Sequence, residues 1–330
     1  MAAYTTIDDP SAYFQTKLYS GDGNDDRSIT LDSDTDLQPD FLLLLERNST
    51  SGHAIHDSVR GVDKFLFPYT TNADGTSTAR VKSFNSDGFT VGTSGAANGS
   101  SDTYAALCWK ESATAGFDIV AHTGNSSNHT VAHSLSAVPE MVISKNRSAA
   151  SQWQVYTKTI GNTQALQLNG SGAPDTSSTY YNNTSPTSSV FTVGTDTGTN
   201  GDGNNMIVYL FRSVQGFSKI SGTYIGNGNV DGTFVWCGFK PAWVMVRRYD
   251  SGDSWVHGNN KALGYNPDNQ FMLMDTSAAE SPTDWIDFYS NGFKLRRTDA
   301  SVNASGGTFI FTAFAESPFT SSTGTPTTAR

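Results

Sequence analysis

Charge is scarce in this chain of 330 residues. Asp, Glu, Lys and Arg make up 16% of it, against roughly 25% in an average globular protein. The balance is acidic, since 21 basic and 31 acidic side chains give a net charge of −10. That argues against nucleic acid as a partner, because neutralising phosphates needs a Lys/Arg surplus on some face. Cysteine is almost missing: Cys108 and Cys237 supply neither a disulfide framework nor a Cys-rich metal site. The longest aliphatic stretch, Leu42 to Leu45, falls far short of the ~20 residues a membrane helix needs. Residues 1–10 hold acids and no apolar core, so no signal peptide is expected. Catalytic motifs are lacking as well, with no Gly-x-Ser-x-Gly elbow, Walker A loop, His-Glu-x-x-His or Gly-x-Gly-x-x-Gly.

What is plentiful is Gly, Ser, Thr and Asn, beside 36% apolar and 12% aromatic residues, enough to build cores. An internal repeat organises them. Asp87-Gly-Phe89-Thr-Val91 returns as Val190-Phe191-Thr-Val193 and as Asn291-Gly-Phe293-Lys-Leu295, with the phenylalanines 102 residues apart each time. A proline precedes an apolar strand at Pro39, Pro139 and Pro241, and Trp153 and Trp255 share the 102-residue interval. Propeller blades and solenoid turns repeat every 20–50 residues, whereas about 100 residues is the size of an immunoglobulin-like sandwich. The expectation is an all-β chain of three tandem antiparallel β-sandwich domains at 19–115, 116–218 and 219–319. Segment 1–18 is read as an N-terminal attachment segment whose Tyr4, Ile7, Tyr13 and Phe14 dock on a larger particle, and 320–330 as a flexible tail. In the closing strand of the third copy, Phe309, Phe311 and Ala313 form one face for the core. Ile310, Thr312 and Phe314 form the other, shared with a neighbour.

The search for chemistry gives little. Gly226-Asn-Gly228 reads as a tight turn, not a phosphate cradle. Asp32, Asp34 and Asp36 read as a solvated loop, because a helical calcium loop needs Gly and Glu where Leu37 and Leu43 stand. His129 and His133 on one strand would sit about 13 Å apart, too far to chelate. His53 and His56 read as structural or exposed. No carboxylate recurs at one place in all three copies, so catalytic, cofactor and metal residues are all expected to be none. Binding needs only exposed aromatic and polar groups, and Tyr180, Tyr181 and Trp285, in loop-like surroundings, are the candidate receptor contacts. Trp153 and Trp255 are assigned to the core.

Several runs resemble a known family: Asp57-Ser-Val-Arg-Gly61, Ser83-Phe-Asn-Ser-Asp-Gly-Phe-Thr-Val-Gly92, Ser144-Lys-Asn-Arg-Ser148, Gly226 to Gly232 with Gly238 to Val246, and Asn303-Ala-Ser-Gly-Gly-Thr308. Together these look like a triplicated domain family of unassigned function in virion structural proteins of tailed bacteriophages, especially marine and cyanobacterial ones. The resemblance spans residues 18–319 and brings no catalytic or binding residues with it. It implies a non-enzymatic virion protein made in the bacterial cytoplasm, a tail fibre or tail appendage that attaches to the host surface. Expected partners are other virion proteins of tail or capsid, a host surface glycan and further copies of the chain, with no membrane and no nucleic acid. A capsid decoration or head appendage, and a polysaccharide depolymerase, are the alternatives.

Overall fold

A computed structural model describes residues 4–262, 266 and 270–327. The chain is all-β, and every strand pairing in its sheets is antiparallel. In the first third, strands Phe14–Ser20, Thr103–Trp109, Phe41–Glu46 and Ala54–Asp57 lie side by side in that order. In the second, the order Phe117–Thr123, Asn205–Phe211, Met141–Asn146, Gln154–Thr157 is the same, extended by Gln164–Gln167 and Asp175–Thr176. The third places Ser218–Ile225, Thr308–Pro318, Phe239–Arg248 and Val256–Asn259 likewise, with Met272–Leu273 beyond. Each third also carries a smaller sheet, built on Gly88–Val91, Val190–Val193 or Gly292–Leu295.

Both faces of the large sheets are buried, which explains the uninterrupted apolar strands. An antiparallel strand with one wet face alternates apolar and polar residues; a strand covered on both sides does not need to. Leu42 and Leu44 pack with Phe89 and Val91 of the small sheet. Phe41, Leu43 and Leu45 point the other way, into a core that all three thirds share. The two faces of the closing strand divide as the alternation predicts. Phe309 stacks on Tyr224 at 4.9 Å and Phe311 meets Phe293 at 5.2 Å, whereas Phe314 lies 5.5 Å from Trp109 and 6.1 Å from Phe211. Trp109, Phe211 and Phe314 thus meet at the centre, around a cavity of about 50 Å³ lined also by Phe41, Met141 and Trp243. That volume is a packing gap between large rings.

The thirds close into a ring around one shared core. At the first junction Trp153 Nε1 donates to Phe67 O at 3.1 Å and Arg147 Nε to Asp74 at 2.8 Å. At the second, Trp255 Nε1 donates to Gln167 O at 2.8 Å and Arg247 donates to Gly172 O. At the third, His53 faces the Leu273 backbone and Arg47 grips Glu280 at 2.8 Å. A buried network adds to the first junction, where Arg60 pairs with Asp57 and Asp74 at 2.5 and 3.0 Å. Tyr209, from the second third, donates to Asp57 at 2.7 Å. Removing one member of such a set strands a buried charge, at a cost of about 3–5 kcal/mol.

The segment 1–18 also departs from expectation, although its residues 1–3 lie outside the described residues. Phe14–Ser20 is the first strand of the first sheet, with Phe14 opposite Trp109. Ile7 is buried, Tyr4 donates to Gly238 O at 2.8 Å and Thr5 to Gln215 O at 2.7 Å. These aromatic and apolar groups are docked already, on the chain itself: Tyr13 meets Phe217 at 6.1 Å, and Phe14 lies against Trp109 and Phe314 at 4.7 and 5.2 Å. Of the tail, 320–327 is ordered and 328–330 lies outside the described residues. It turns at Gly324, φ +85°, and pairs Thr320 with Pro326, while Ser322 N donates to Asp8 at 2.6 Å.

Gly226-Asn-Gly228 is a turn, as read, and the reason recurs in each third. A Cβ at Gly21, Gly124 or Gly226 would fall 2.0, 2.1 or 2.2 Å from a backbone oxygen of the facing loop. The buried amides of Asn98, Asn200 and Asn303 tie that turn down, donating to Asn24 O, Ser127 O and Asn229 O, each at 2.8 Å.

Because one core serves all thirds, heat or denaturant is expected to unfold the chain in a single transition, coincident by circular dichroism and tryptophan fluorescence. Trp255→Phe leaves Gln167 O without its donor and lowers stability by about 1–3 kcal/mol; a separately melting third would contradict this. His53, His56 and His257 are buried, and burial first of all holds their pKa values down to about 4, 3 and 3. Above pH ~6.5 they are neutral folded or unfolded, so they set no slope there. As pH falls from ~6.5 towards 4 the unfolded chain takes up protons that the native one refuses. Stability is then lost at about 1.4 kcal/mol per pH unit for each histidine. Chemical denaturation from pH 8 to 4 measures this, and His257→Met flattens the slope.

Candidate functional site

The three sequence candidates do not lie on the surface. Tyr180 and Tyr181 sit on a four-residue helix, Ser178–Tyr181, capped by Ser177 and ended by Asn182 in the left-handed region at φ 49°. That turn drives both rings into the core of the second third. Tyr180 donates to Asp175 at 2.5 Å, and Tyr181 packs edge-on against Tyr156 at 5.7 Å. Trp285 is buried, with Nε1 donating to Gln270 O at 3.2 Å. The polar neighbours of these residues supply caps and partners for buried rings.

Most exposed large apolar side chains lie elsewhere. Beside Val59 in the first third and Val138 in the second, the last third carries Ile225, Val230, Phe234, Trp236, Tyr289 and Phe319, with Trp236 and Phe234 56% and 45% exposed. Phe234 and Trp236 are two apart on the edge strand Phe234–Trp236, so they share one face while Val235 between them is buried. Tyr289 stands across the sheet, edge-on to Phe234 at 5.9 Å. At corresponding register positions the other thirds are polar or small. Ser28 and Thr130 stand in place of Phe234, Ala132 in place of Trp236, and Asn85 in place of Tyr289. Burial cannot account for rings placed only where they meet water, so the aromatic character belongs to this surface.

Charges frame the rings and satisfy one another. Arg296 pairs with Asp287 at 2.5 Å and Asp231 at 3.2 Å, and Lys294 reaches Asp231 at 2.5 Å. The bond from Lys294 holds the Asp231 carboxyl below the usual range, and the bond to Asp287 raises Arg296. The outcome is an ion-paired sheet on which Phe234 and Trp236 are exposed and the Tyr289 hydroxyl is tied to Arg296 at 3.1 Å and Asp287 at 3.3 Å. Comparing the thirds position by position would have disclosed it; inspecting loops for aromatic residues did not.

Other candidates are accounted for locally. Asp32 pairs with Lys17 and, at 3.0 Å, with Lys261. His129 and His133 approach the backbone oxygens of Ser127 and Thr187 at 2.9 and 3.1 Å. His53 and His56 are both buried. Glu111 and Asp118 form one carboxyl pair, in which burial and the shared hydrogen bond push the Glu111 pKa up. Carboxyls that touch leave no room between them for the glycosidic bond a retaining enzyme flanks at about 5–5.5 Å.

Residues 9–318 match the model of a family described as a domain of unknown function, DUF7483. No curated protein matches the chain.

Five of the six tryptophans are buried and Trp236 is exposed. Iodide is therefore expected to quench a single component of the tryptophan emission, and Trp236→Phe to remove it. Because Trp236 supports no core, Trp236→Ala changes stability by no more than about 0.5 kcal/mol, read as an unchanged denaturant midpoint.

Proposed function

The chain belongs to the DUF7483 family, and we propose that it is a structural attachment protein of a bacteriophage virion, a tail fibre or tail appendage whose last third meets the host surface. The carrying observation is the exposed Phe234, Trp236 and Tyr289 face on a sheet whose charges are already paired. Rigid aromatic groups give contact area at low entropic cost, and sugars and proteins alike are held by them. The matching strand orders support three copies of one unit, two kept polar on this face and one adapted for contact. The resemblance to phage virion proteins supports the setting. The reading assigns the chain scaffolding and adhesion, and no reaction.

Labelled full-length chain is expected to adhere to cells of the bacterium its phage infects. Phe234→Ala with Trp236→Ala should cut that adhesion at least tenfold without moving the thermal midpoint. Folded wild-type protein that fails to adhere at micromolar concentration overturns the reading. Loss of capsid stability in particles lacking the chain would favour decoration instead, and release of reducing ends from host capsule would favour a depolymerase.

A further inference from the structure

We infer that the groove between the second and third thirds is a subsite for an acidic saccharide, a sugar carrying a carboxylate, with Trp236 as its stacking wall and Lys219 as the partner of the anion. The inference rests on the attachment reading and names the ligand class of that surface. The groove is open, measures about 500 Å³, and is lined by Trp236, Lys158, Lys219, Ser213, Ser221 and Thr223 among others. It continues the aromatic face, since Trp236 belongs to both.

Three features mark it as built. The first is a bulge between Lys219 and Gly222, where the register with the closing strand shifts; the same pairing in the other two thirds runs without interruption. Bulges of this kind re-aim side chains next to functional sites. Ser221 within it has φ +52°, unusual for a residue with a side chain, and Thr159 of the second third holds it there, donating to Ser221 O at 2.9 Å. The second is the floor. Gly222 is buried against Phe311, whose ring lies 2.4 Å from where a Cβ would stand, so glycine and ring together form a flat floor.

The third is charge. Glu140 is engaged, accepting from Ser213 N at 2.9 Å and from Lys158 at 3.3 Å. Lys219 is half-buried and has no hydrogen-bond or ion-pair partner among the described residues. With Glu140 and Lys158 paired to each other, the Lys219 ammonium is the charge in the groove left to meet an anion. The site therefore offers an indole face for sugar C–H groups, hydroxyls for sugar hydroxyls, and one ammonium for one carboxylate. A nucleic-acid backbone, with its dense charge, is disfavoured by the −10 of the whole chain.

Titration of the full chain with trigalacturonate, followed by Trp236 emission and calorimetry, tests this, with maltotriose as the neutral control. Trigalacturonate is expected to bind at least tenfold tighter than maltotriose, and more weakly as salt rises. Lys219→Gln and Trp236→Ala should each weaken it at least tenfold at an unchanged thermal midpoint. Equal binding of the two sugars, binding of neither, or a Lys219→Gln variant indistinguishable from wild type overturns the inference. Host adhesion that survives Lys219→Gln but is lost with Phe234→Ala and Trp236→Ala overturns this subsite and leaves attachment standing. Uronate binding by a chain that does not adhere to cells overturns attachment alone.

Discussion

Each large sheet must bury two faces, and the ring follows from that demand. The small sheet of a third covers one face only; the other ends in Trp109, Phe211 or Phe314, rings too large to leave in water. At roughly 25 cal/mol per Å² of apolar surface, a third standing alone would expose its most apolar side. Three such faces turned inward cover one another, and the short strand-to-strand connections of each third remain outside. The shared core thereby makes the thirds one cooperative body, and it leaves their outer surfaces free to diverge.

Polar contacts decide how the faces are registered. Trp153 and Trp255 reach across their junctions to a backbone oxygen, and His53 holds the equivalent place with a smaller ring. Beside them stand Lys145, Arg247 and Leu45, all fully buried. Lys145 is held by Thr71 O and Ser151 O, each at 3.0 Å, and Arg247 lies over the Trp255 ring at 5.4 Å. The junctions thus use one geometry with three different side-chain sets. Each pair of thirds fits in one place only, as buried polar groups that specify a register do.

Much of this was legible in the sequence, for identifiable reasons. Phe89, Phe191 and Phe293 recur because each fills the same buried place in a small sheet, and Trp153 and Trp255 because each spans a junction. Spacing reports that the thirds are alike and carries no information on how they face one another, so the ring was not visible. The boundary expected at residue 19 cuts through the strand Phe14–Ser20, because the repeated glycine turn at Gly21 stands at the end of that strand, not at its start. Tyr180, Tyr181 and Trp285 were misplaced because Asn, Ser and Asp are as ready to cap and bond buried rings as to accompany exposed ones. Phe234 and Trp236 belong to one short strand, Phe234–Trp236. Their outward direction is set by Val235, and only alignment with Ser28 and Thr130 separates contact from core.

The fastening of Asp8 to Ser322, with Tyr4 held at Gly238 and Thr5 at Gln215, has a mechanical meaning. Asp8 and Ser322 touch, so tension applied between those two points loads that clasp and no strand ladder. Tension between Asp8 and Trp236 would meet the antiparallel strands of the last third instead, where many backbone hydrogen bonds share the load.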